Sequence, residues 1–153
     1  MNTTIEQDAA VDGMHDPYPD SVVRQHIDSI FSFQELARLD EALTMSSRET
    51  GLRFTLYVGD LGRQTRTRAE ELHGLSGGDL VESVLIAVSP GQRVVEVVTG
   101  AGAARRIPDR ACALAVLSMT GSFAAGDLVG GIVNGLRQMS DQAGHPQALR
   151  HPY

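Results

Sequence analysis

Two short stretches carry residues whose types and spacing suit the binding of an anion. In "VVEVVTGAGAARRIPDRA", Gly100 and Gly102 precede Arg105 and Arg106, and Asp109 stands at the head of a helical pattern. Free N–H groups at a helix N-terminus favour negative charge. "GAGAAR" begins like the dinucleotide fingerprint G-x-G-x-x-G, but Arg105 occupies the place of the third glycine. The glycines also follow the second strand of a predicted hairpin, where that fingerprint requires the first strand of a βαβ unit. Gly100 and Gly102 are therefore read as permitting a sharp turn with positive φ. Asp109 is read first as a helix cap and second as a ligand, because a capping carboxylate competes with a bound anion.

The other stretch is "GDLGRQTRTR", in which Asp60 follows a strand and Arg63, Arg66 and Arg68 follow Asp60. Open α/β sheets hold ligands at the carboxyl ends of their strands. If the first two strands run parallel, this loop shares an end with the "SPGQ" turn, and the hairpin then sends Arg105 and Arg106 to the opposite end. The two arginine groups would stand about 17 Å apart, one strand length, too far to grip a single phosphate.

Other chemistries have less support. The five histidines are scattered, and His73, the one in the core, is expected to face water at a helix end. Cys112 falls on the apolar face of a helix, where a buried thiol is inert. No paired histidines or carboxylate run marks a metal site. Asp60 or Asp127, with backbone carbonyls, would hold Ca2+ or Mg2+ only weakly, and no other cofactor is expected.

The elements that must position these residues are legible in outline. "SFQELARLDEALTMSSRETG" has Ser32 and Glu35 at capping-box spacing, a stripe of Leu36, Leu39 and Leu43, and Gly51 as terminator. "LRFTLYV" alternates like a strand, and a short helix is expected over 67–73. "VLIAV" is a continuous apolar run that predicts an interior strand. "RVVEVVT" is its antiparallel partner, nearer the edge, with Glu96 facing solvent. Two helices close the chain, the first from Pro108 or Asp109 to about Met119, the second with Leu128, Ile132, Leu136 and Met139 on one stripe. Gly131 and Gly135 are read as allowing close packing on the sheet or the preceding helix. The order α-β-α-β-β-α-α predicts a single α/β domain, a small mixed sheet flanked by helices.

Thr99, Gly100 and Gly102 after a strand, Asp109 opening a helix, and Gly126-Asp127 before a final glycine-containing helix resemble the TPM-domain family. "YVGDLGRQTRTRAEEL" is similar to that family's first strand and following loop. The resemblance covers residues 32 to 142 and implies an αβα sandwich. It also implies one of two activities, since some members are phosphatases that bind divalent ions and others are accessory or assembly factors. Many members are exported or membrane-anchored.

Composition sets the remaining bounds. The 153 residues suffice for one domain with a real core. The net charge of −6 is concentrated in Glu6, Asp8, Asp12, Asp16 and Asp20, leaving a nearly neutral body. Such a body implies no nucleic-acid partner. All 13 basic residues are arginine. A lone cysteine excludes an internal disulfide, and the sequence shows no signal peptide and no span of ~20 apolar residues. The expectation is a cytoplasmic domain over 32–143, with a mostly disordered acidic tail over 1–31, in which "SVVRQHIDSIF" docks at its end, and a flexible tail over 144–153. Its expected role is a binding or accessory module with another protein as partner, itself a monomer or weak homodimer. The alternative is a metal-assisted phosphatase using loop carboxylates such as Asp60 or Asp127.

Overall fold

A computed structural model describes residues 22–23 and 30–146. Ser32 caps the first helix as its spacing predicts: its Oγ accepts the Glu35 N–H at 3.0 Å, while its own N–H donates to Glu35 Oε1 at 2.9 Å. That helix, α1 (Phe33–Thr50), ends at Gly51, which adopts φ of 79°. Leu36, Leu39 and Leu43 are completely buried beneath it, each contributing about 1.5–3 kcal/mol of burial.

The sheet has four strands, in the order β1 (Val22–Val23), β2 (Arg53–Val58), β3 (Ser83–Ser89) and β4 (Val94–Thr99). β1 and β3 both run parallel to β2, and β4 returns antiparallel to β3. Every residue of β3 is buried, so the apolar run is an interior strand, and β4 forms one edge. The pairing of Val22 and Val23 with Leu56 and Tyr57 starts the sheet ahead of Ser32. The rest of the tail expected over 1–31, apart from residues 30 and 31, lies outside the described residues, as does 147–153 of the C-terminal one.

Helices cover both faces. α2 (Thr65–Gly74) lies on one, closing a small core of Tyr57, Leu61, Leu72, Leu85 and Val98. α1, α4 (Asp109–Ala124) and α5 (Leu128–Ala143) cover the other, with Phe54, Leu56, Ile86, Met119, Ile132 and Leu136 in the main core. The fold is the expected αβα sandwich. Gly131 and Gly135 serve the α4–α5 contact, because a Cβ at either would strike Phe123 or Met119.

Three elements are additional to the expected order: β1, a single 3-10 turn at Leu80–Glu82, and a short helix after β4. α3 (Ala101–Arg106) begins directly after β4, and Gly100 at its N-cap has φ of −65°. The positive-φ turn expected at Gly100 and Gly102 is therefore absent. Close approach is the reason for Gly100, where a Cβ would collide with the Leu80 and Val81 carbonyls; at Gly102 it would meet the Glu82 carboxylate, the movable end of a side chain.

Candidate functional site

β4 is an edge strand with half of its backbone polar groups turned outward. Gly100 N–H donates to Ser83 O at 2.9 Å, which makes Ser83 and Gly100 a hydrogen-bonded pair. By the alternation of an antiparallel ladder, Leu85–Val98 and Ala87–Glu96 are also bonded pairs. Val95 and Val97 therefore point their N–H and C=O groups away from β3. An unpaired edge of this kind is a template for another strand unless it is covered or charged.

Two helices wall this edge into a trough of about 410 Å³, lined by Arg66, Val95, Glu96 and Val97 and by Asp109, Cys112, Ala113 and Val116 of α4. α2 places its first turn over the strand. Thr65 Oγ1 donates to Glu96 Oε2 at 2.8 Å, and Arg66 Nη1 donates to Val97 O at 2.7 Å and to Glu96 Oε1 at 3.5 Å. Arg66 Nε also bonds Glu70. Glu96 thus departs from the solvent-facing role expected of it, since its side chain is 19% exposed and lies under these two donors. Arg66 keeps about half its surface, at 52% exposure, and caps one outward carbonyl of the edge.

Farther along the same face of α4 a second hollow of about 390 Å³ opens near the β3–β4 turn, lined by Arg93, Val94, Thr120 and Phe123. Arg93 holds its backbone at φ of 58°, an uncommon conformation for a residue with a side chain. The two hollows share β4 and α4, so among the described residues the edge is uncovered along most of its length between Arg66 and Arg93.

The residues singled out in the sequence scatter into different roles. The loop of Asp60 does share an end with the "SPGQ" turn: Leu61 N–H donates to Gln92 Oε1 at 2.8 Å, and Gln92 Nε2 donates to Gly62 O at 2.7 Å. Asp60 Oδ2 accepts the Gly62 N–H and so shapes its own loop, while Arg63 is exposed nearby. At the opposite end Arg105 is exposed on α3. Arg106 turns away from any anion site: its Nη2 donates to the carbonyls of Ala143, Gly144 and His145 at 3.0–3.2 Å, tying down the end of α5. Asp109 makes no cap. Pro108 holds the N-cap position without a side-chain hydrogen bond, and Asp109 is the first helical residue, where its charge suits the helix dipole. Arg66 and Asp109, assigned by sequence to separate corners, line the same trough.

Cys112 is 9% exposed. Burial and the neighbouring Asp109 raise its pKa above the ordinary 9.0, against the opposing pull of Arg66, so it stays a thiol and a poor nucleophile at neutral pH. His73 is only partly exposed, and its Nε2 sits 2.8 Å from Ser83 Oγ. Asp127 Oδ1 accepts the Gly130 N–H at 2.9 Å as the cap of α5. Among the described residues no three His, Cys, Asp or Glu side chains gather to hold a metal ion, and no helix is long and apolar enough to cross a membrane.

The model of a domain of unknown function, DUF5130, matches residues 18–140. The chain belongs to the DUF5130 family. An uncharacterised protein of Mycobacterium tuberculosis, in strains CDC 1551 and H37Rv, is 41% identical over 111 residues, or 72% of this chain. The match spans 65% of that relative's length. Among solved structures, the BA42 protein of the psychrophilic bacterium Bizionia argentinensis superposes with a TM-score of 0.68 at 13% identity, over 83% of this chain and 93% of that one. The N-terminal domain of the cg2496 protein of Corynebacterium glutamicum gives 0.62 at 12% identity, over 82% of this chain and 84% of that one. At such identities the likeness establishes a shared fold. Of the site in this DUF5130 domain, the reach of Arg66 to Val97 had no local signal in the sequence, since 31 residues separate the two.

Proposed function

We propose that this domain is a binding module of the accessory, TPM-like kind, acting in the cytoplasm and taking an extended segment of another protein along β4. The observation that carries this reading is the open edge itself, with outward backbone groups on Val95 and Val97 set in a walled trough. A peptide laid there gains main-chain hydrogen bonds from the strand. Its alternate side chains would point toward α4, where Ala113 and Val116 offer an apolar wall, and toward Arg66 and Glu96 on the α2 side. Arg66 would act as the guard of the edge, releasing Val97 O when a partner strand arrives. The absence of a gathered set of acids among the described residues weighs against the phosphatase alternative.

Selection of a random displayed peptide library on the purified protein tests this reading. Enriched peptides are expected to alternate apolar residues and to bind at least tenfold more weakly to Ala113→Arg, a change at an exposed wall position that leaves the core alone. Peptides indifferent to Ala113→Arg would count against the trough. Phosphoester turnover with Mg2+, Mn2+ or Ca2+ that disappears in Asp60→Asn or Asp127→Asn would make the enzyme reading the better one.

A further inference from the structure

The outer face of α4 carries a seam that nothing among the described residues covers. Arg110, Leu114, Leu117, Gly121 and Ala124 recur at steps of four, three, four and three, the spacing of a coiled-coil seam. All five are exposed, Leu114 at 56% and Leu117 at 68%. They lie opposite Cys112, Ala115 and Met119, which the helix buries inward. From Ala111 to Gly126 the chain has no charged residue, whereas α1 fills exposed positions with Glu35, Arg38, Glu41, Arg48 and Glu49. A helix that is apolar all round is characteristic of one covered on both faces.

Gly121 supplies a second, independent observation. Glycine inside a helix is less stable than alanine there, and nothing lies within 4 Å of the place where its Cβ would stand. The described residues of the single chain therefore give no reason for glycine at this position. Gly131 and Gly135, by contrast, are explained by Phe123 and Met119 packed on them. An exposed glycine one step from an exposed leucine forms a hole beside a knob.

We propose that this seam is a homodimer interface, in which α4 of a second copy packs antiparallel across a twofold axis with each Leu117 seated over the partner's Gly121. In that register Leu114 meets the partner's Ala124, so both leucines face small residues. The same register carries Arg110 to the end of the partner helix, where the partner's Asp127 stands exposed with opposite charge. A parallel pair would stack Leu117 on itself, leave a gap at Gly121 and oppose Arg110 with its own copy. The antiparallel twofold satisfies volume and charge together and closes without further growth. A four-turn seam is smaller than the ~800 Å² per partner of a standard interface, so the dimer is weak, micromolar or weaker. The seam shares no residue with the lining of the β4 trough, and the inference is independent of what that trough binds.

Sedimentation equilibrium of the full chain, from about 5 µM to about 1 mM, reads the association directly. Leu117→Asp and Gly121→Leu are each expected to weaken it at least tenfold with circular dichroism unchanged. Exchanging knob and hole, in Leu117→Ala with Gly121→Leu, is expected to restore it. Mixing Leu117→Cys protein with Gly121→Cys protein is expected to give a disulfide heterodimer faster than either alone gives a homodimer. A monomer at every concentration would overturn the proposal. So would a Leu117→Asp protein that dimerises like the parent, or Leu117→Cys cross-linking fastest to itself.

Discussion

At the scale of single residues, the glycines of the β4–α3 junction show how a correct signal acquires a wrong reason. "TGAG" announces a backbone constraint, but positive φ and close approach leave the same letters in a sequence. The carbonyls that crowd Gly100 belong to Leu80 and Val81, about twenty residues away, so the true cause was not local. Gly100→Ala is expected to destabilise the fold by about 2–3 kcal/mol, the upper range of overpacking, because the obstacle is backbone and cannot swing aside. Urea unfolding measures it, and a loss below about 0.5 kcal/mol would show that the junction relaxes freely. Tyr57 and Cys112 make the second residue-scale prediction. Burial is the main cause raising both pKa values, from ordinary values of 10.0 and 9.0. For such acids the unfolded chain loses its proton first, so the native state holds more protons between the unfolded and folded pKa values. Stability then falls as pH rises. Thermal midpoints should be flat with respect to these two groups below pH 9.0 and decline above it. Tyr57→Phe should flatten the part of the decline above pH 10.0, and a decline unchanged by that substitution would assign it elsewhere.

At the scale of elements, legibility followed the range of the interaction. The capping box of Ser32 and Glu35 closes within three residues, and the sequence states it completely. The run in β3 is equally plain, because burial on both faces leaves no polar position. β4 was placed at the edge by Glu96, yet the sequence could not show that Thr65 and Arg66 would cover that carboxylate. Arg106 was legible as a cation near a helix, and its three carbonyl acceptors at the end of α5 were not, because they lie 37–39 residues on. Arg106→Ala should cost about 1.5–3 kcal/mol, the range for a hydrogen bond to a charged group. The loss should concentrate in α5, with faster amide exchange over its last turn. Unchanged exchange there would reduce the clamp to an incidental contact.

At the scale of the whole molecule, the sandwich leaves two surfaces unfinished on the same side, the open edge of β4 and the outer face of α4. The sheet's other edge begins with β1, and α1 intersperses its exposed Phe33 and Met45 with Glu35, Arg38, Glu41, Arg48 and Glu49, whereas α4 has no charged residue from Ala111 onward. Arg66 belongs to both the fold and the site. It is half exposed and its ion pairs are worth little to stability, on the order of 0–1 kcal/mol, while its bond to Val97 O guards the edge. Arg66→Ala should therefore leave the unfolding midpoint nearly unchanged and tighten peptide binding.

Amide hydrogen exchange at Val95 and Val97, followed by NMR with and without a selected peptide, tests the open edge as the binding surface most directly. Both N–H groups face away from β3, so they should exchange readily in the free protein and slow at least tenfold in the complex, with Val98 and Glu96 already protected by the ladder. A peptide that binds while Val95 and Val97 exchange as before, and that protects amides on another surface, would contradict the strand-addition account.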